Sequence, residues 1–261
     1  MSVARGICAA LLTGAAIAGC TEVSTDPQLP LSLQFDSLPA LAIVVGDTMR
    51  GGDLLPARVS VNAFNSAGGV VADTQIRLIG IDSLSVKSFS VISGVRLVGT
   101  TENSTVRIVT QAGALQSQTQ TFAVVPRPTG LGIGDTTTDS IVYDAVDTAS
   151  RFRDITATLF HQVGDSAASF QNGLRIAFRV ASFSTAILDS VRLVSPTSGR
   201  VITSALIANG LATIRVKAYP KPAVTGTGSI VVEATARALG APVPGSPLSL
   251  PVKLSPFTLP P

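Results

Sequence analysis

A chain of 261 residues with 23 Gly, 16 Pro and 13% charged residues can bury one large core or two ordinary ones, at about 100–150 residues per domain. Val, Ile, Thr and Ser are plentiful, while Glu, Lys and Met, which fill amphipathic helices, are scarce, so short strands joined by turns are predicted. The formal net charge of +3 comes from Lys and Arg placed singly along the chain, and without a basic cluster no nucleic-acid partner is predicted.

In chain order, Met1 to Arg5 forms a positive n-region and Gly6 to Ala16 an uncharged apolar stretch, within the roughly 7–15 residues of an export-signal h-region. It is shorter than the ~20 residues that span a bilayer, and no later stretch is long and apolar enough to span either. The body of the protein is therefore expected outside the cytoplasm and soluble. The leader ends in Ile17-Ala18-Gly19-Cys20, an aliphatic residue, two small residues and a cysteine, which resembles a bacterial lipobox. That resemblance implies that the Cys20 thiol takes a diacylglycerol, that residues 1–19 are a lipoprotein signal peptide, and that the membrane is a partner through the N-terminal lipid. Two or more acyl chains anchor stably where one alone is marginal. Thr21, not being Asp, implies the outer membrane of the cell envelope by the same family rule. Two other readings remain: Ala16-Ile17-Ala18 fits the A-x-A site of ordinary signal peptidase, releasing a chain at Gly19, and Cys20 could be a buried thiol. Since Cys8, the other cysteine, lies inside the leader, a released chain would carry one unpaired thiol into an oxidising compartment, which weighs against both.

Residues 20–30 are polar and contain two prolines, the composition of a tether. Two regions follow, 31–126 and 140–256, separated by a Pro/Gly/Thr-rich linker at 127–139 and ending in a short tail at 257–261. Their apolar period is two. Leu174, Ile176, Phe178 and Val180 alternate with polar or small residues, as do Ala212, Ile214, Val216 and Ala218; Ile230, Val232, Ala234 and Ala236; and Leu248, Leu250, Val252 and Leu254. Val59, Val61 and Ala63, and then Thr119, Thr121 and Ala123, are the matching faces in the first region. A weak repeat aligns "VSVNAF" from Val59 with "ITATLF" from Ile155, "IRLIG" from Ile76 with "LRIAF" from Leu174, and "TVRIV" from Thr105 with "TIRV" from Thr213. Offsets of about 100 residues match an immunoglobulin-like sandwich. The predicted fold class is all-β, two tandem immunoglobulin-like antiparallel β-sandwiches after a lipoprotein signal peptide.

The motifs "LAIVVGDT" with Gly46-Asp47-Thr48, "NSAGGVV" with Gly68 and Gly69, "GVRLVG", "STVRIVTQAG" and "TFAVVP" resemble bacterial Ig-like domains of group 2. The second region, through "ANGLATIRVKA" and "GTGSIVVEATARA", resembles invasin-type, group 1-like modules, with apparent insertions at 144–152 and 182–204. Such domains serve as spacers, adhesive modules or appended binding units on cell envelopes, so the resemblance implies an adhesive, interaction or structural role. The alternative is capture of a glycan or polymer through those inserted loops.

Chemistry is sparse. His161 is the only histidine and shares strand parity with Ile155, Ala157 and Leu159, so the inward end of a strand is predicted rather than a catalytic base. There is no G-x-S-x-G elbow, and one His with no spare Cys argues against zinc. Gly130-x-Gly132-x-Gly134 lacks phosphate-loop spacing and reads as a flexible hinge. Asp135, Asp139, Asp144 and Asp147 are oxygen ligands that Ca²⁺ at a domain junction would use, but they match no EF-hand, and solvated turn carboxylates are the default. No catalytic residue, cofactor or metal is therefore predicted, and the protein is read as no enzyme. With Trp absent and most Phe assigned to the core, no aromatic ligand platform is evident. A protein or envelope-polymer partner on an exposed strand edge would leave almost no signature.

Overall fold

The computed structural model describes residues 26–36, 38–81, 86–91, 94–134, 140–144 and 151–257, and among them every regular element is a β-strand. The first region contains β1 (Ser32–Phe35), β2 (Ala42–Val44), β3 (Val61–Phe64), β4 (Arg77–Gly80), β5 (Val86–Val91), β6 (Gly94–Gly99), β7 (Ser104–Ala112), β8 (Leu115–Gln116) and β9 (Gln120–Val125). Its main sheet is ordered β2-β9-β7-β4, with β8 folded back on β7, while β1 pairs with β3 and β5 with β6.

The second region contains β10 (Gly130–Ile133), β11 (Ser140–Tyr143), β12 (Arg151–His161), β13 (Ser169–Phe170), β14 (Arg175–Phe183), β15 (Leu188–Val194), β16 (Ser204–Leu206), β17 (Ala212–Pro220), β18 (Gly228–Thr235), β19 (Arg237–Ala238), β20 (Ala241–Pro242) and β21 (Leu248–Pro256). One sheet runs β10-β12-β17-β15, with β13 beside β12; the other runs β11-β21-β18-β14-β16. The entering chain thus contributes to both sheets, and β18 lies between β21 and β14 as β7 lies between β9 and β4. This is the wiring of an immunoglobulin-like sandwich. The two tandem sandwiches expected from the sequence are present, with one departure in each. β2 ladders parallel to β9 and β11 parallel to β21, because each entering strand runs beside the last strand of its own domain and in the same direction.

Period-two patterning builds the cores. Ala212, Ile214, Val216 and Ala218 of β17 are fully buried and share a core with Ile230 and Val232 of β18 and Leu250 and Val252 of β21. Each such Ile, Leu or Val contributes about 1.5–3 kcal/mol. The first core is smaller and centres on Ile43, Leu97, Val106, Ile108, Phe122 and Val124.

Four expectations are corrected. In β9 the buried residues are Phe122 and Val124, not Thr121 and Ala123; the bulkier side chains of two alternating sets take the core. The third repeat pair is mismatched, because β7 is the centre of its sheet whereas β17 belongs to the opposite sheet and pairs with β12 and β15. Topology instead equates β7 with β18. Residues 182–204, expected as an inserted loop, contain β15, which pairs along β17. Finally, the glycines expected as a flexible hinge lie in or beside β10, an edge strand paired with β12. A Cβ on Gly130 would collide with the far end of the Phe160 ring, so the missing side chain makes room for that ring. Gly134 plays the same part under Leu211 and Thr156, where a Cβ would come within 2.6 and 2.8 Å.

The two sandwiches interlock. Asp47 is buried, with Oδ1 accepting from the Thr48 N–H and Arg50 Nη2, both at 2.8 Å, and Oδ2 accepting from Arg50 Nε at 2.8 Å and from the Leu239 N–H of the second sandwich at 2.6 Å. Across the same seam Arg175 donates from Nε to the Pro39 carbonyl, and the Leu41 N–H donates to the Gly173 carbonyl at 3.0 Å. Burial holds the Arg175 guanidinium below its ordinary pKa. Val44 joins the second core while Leu206 packs against the first. A cavity of about 20 Å³ at the seam has room for about one water molecule.

Candidate functional site

Of the residues singled out in the sequence, Cys20, Asp135, Asp139 and Asp147 lie outside the described residues, as do 145–150 of the 144–152 insertion. Asp144 follows β11, half-buried. His161 ends β12, where its Nδ1–H donates to the Arg127 carbonyl at 2.7 Å. The imidazole therefore ties the inter-domain segment to the second sandwich. Among the described residues no group of three or more His, Cys, Asp or Glu is placed to hold a metal.

The chemistry gathers elsewhere, on the outer face of the β10-β12-β17-β15 sheet. Because β17 buries its even-numbered residues from Ala212 to Ala218, it turns Thr213, Arg215, Lys217 and Tyr219 outward. The antiparallel register sets Asp154 opposite Arg215 and Phe152 opposite Lys217 on one side, and Arg192 opposite Lys217 on the other. Arg215 donates to Asp154 through Nε at 2.6 Å and Nη2 at 2.9 Å, a bidentate pair, and the hydrogen bond with Asp154 raises the pKa of the guanidinium. The same guanidinium stacks 4.2 Å from the centroid of the Phe152 ring, which is 57% exposed. Arg192 and Lys217 lie 5.4 and 5.7 Å from the centroid of Tyr219. These are cation–π distances.

On this face Arg192, Arg215 and Lys217 stand against Asp154, whereas Arg151 and Arg153 pair with Ala218 and Val216 and so have the parity of the core side.

No protein-family model matches the chain, and no curated protein matches it. Solved structures do match at low identity. Domains 4 and 5 of the S-layer protein SbsC are 12% identical, with 87% of this chain and 97% of that one covered and a TM-score of 0.28. The Yersinia pseudotuberculosis adhesin InvE is 11% identical, with 85% and 58% covered and a TM-score of 0.31. An endo-fucoidan hydrolase of glycoside hydrolase family 107 is 13% identical, with 87% and 34% covered and a TM-score of 0.39. Superpositions this loose transfer no function to the chain, and its fold rests on its own strand order.

Chemically, the outer face can pair anions and stack flat apolar surfaces. Sequence reading missed it on two counts. The cations are scattered along the chain and meet only through strand pairing. Most Phe were assigned to the core, yet Phe122 and Phe178 are the fully buried ones among the described side chains, while Phe152, Phe170 and Phe257 are exposed.

Proposed function

We propose that the chain is a bacterial lipoprotein of the cell envelope, anchored to the outer membrane through acylated Cys20. On that anchor stand a group 2-like and an invasin-type Ig-like domain acting as a non-catalytic adhesive, interaction or structural module. The observation that carries this reading is the closed seam between the sandwiches, where Asp47 and Arg175 are spent on inter-domain hydrogen bonds. Such a seam makes a stiff unit suited to holding a surface away from a membrane, and the lipobox-like Ile17-Ala18-Gly19-Cys20 supplies the attachment point. The test is fractionation: wild type sediments with envelopes, and Cys20→Ala shifts to the soluble fraction. Equal sedimentation of the two would refute the anchor.

A further inference from the structure

We infer that the outer face of β12, β15 and β17 binds an anionic polysaccharide. The inference deepens the interaction-module reading and relies on its placement outside the cytoplasm, where acidic glycans are the abundant linear polyanions.

Three features carry it. Charge is the first: Arg192 is exposed and Lys217 half-exposed on neighbouring strands, and in that register the two cations lie side by side, where one carboxylate or sulfate can meet both. The aromatic rings are the second. Phe152 and Tyr219 flank the cations on the same face, and an exposed ring beside a cation suits a pyranose, whose C–H face stacks on the ring while its acidic substituent reaches the charge. The third is shape. The face is an open sheet surface, and outward-facing Phe152 and Phe160 are about 27 Å apart along β12, a span that fits several units of a linear polymer rather than one small molecule. Asp154 is already paired with Arg215, so it offers an incoming anion little repulsion.

The experiment uses the full-length chain in detergent with polygalacturonate as probe, dextran as the neutral polymer, and polyaspartate and single-stranded DNA as other polyanions. Calorimetry at low salt is expected to show polygalacturonate binding without dextran binding. That binding should weaken about tenfold in Arg192→Ala/Lys217→Ala, and by several-fold in Phe152→Ala. It should be unchanged in Arg179→Ala, whose guanidinium pairs with Glu233 on the opposite sheet. Arg192→Gln/Lys217→Gln repeats the test with the side-chain bulk largely retained, and equal melting temperatures confirm the fold. Absence of polygalacturonate binding, binding indifferent to both double variants, or equal or tighter binding of polyaspartate or DNA would overturn the proposal. Fractionation of Cys20→Ala is read separately, so loss of the anchor and loss of polymer binding are distinct results.

Discussion

The Asp47 carboxylate accepts the backbone N–H of Leu239 at 2.6 Å while held bidentately by Arg50, so one buried charge pair in the first sandwich caps a turn of the second. Removing the carboxylate leaves the Arg50 guanidinium buried without its counter-ion. Asp47→Ala is expected to cost about 3–5 kcal/mol. Calorimetry should then show two separated unfolding transitions where the parent unfolds in one. A single transition at the parental temperature would mean that the seam does not couple the domains.

Gly130 and Phe160 make a second test. A methyl group on Gly130 collides with the Phe160 ring, so Gly130→Ala is expected to destabilise the second sandwich by about 1–3 kcal/mol. Adding Phe160→Leu should relieve the collision, giving the double variant a smaller loss than the two single losses combined. Additive losses in urea unfolding would show that the ring does not need the glycine.

Tyr143 is nearly inaccessible, and its hydroxyl donates to the Gly226 carbonyl at 2.7 Å. Tyr143→Phe removes the donor without changing the ring, so the expected cost is about 1 kcal/mol, with a further penalty if the carbonyl is left without a partner. Chemical denaturation measures it directly.

How far the sequence reveals this molecule depends on what each residue's environment requires. Ile214 and Val216 declare their face because burial on one side forces strict alternation, and the all-β class follows from many such runs. Phe122 and Thr121 belong to a strand where both parities carry apolar groups, so only packing decides which set goes inward. Gly130 looks like a hinge because flexibility and close approach require the same residue. The candidate face is the least legible part: Arg192 and Lys217 are distant in sequence and adjacent in space, and their meeting depends on the pairing of β15 with β17.

Mass spectrometry of the N-terminal peptide from envelope-extracted protein decides whether this module stands on a lipid attached at Cys20. The expected mature chain begins at Cys20 and carries acyl chains. A chain beginning at Gly19, or one retaining residues 1–19 with an unmodified Cys20, would rule that attachment out.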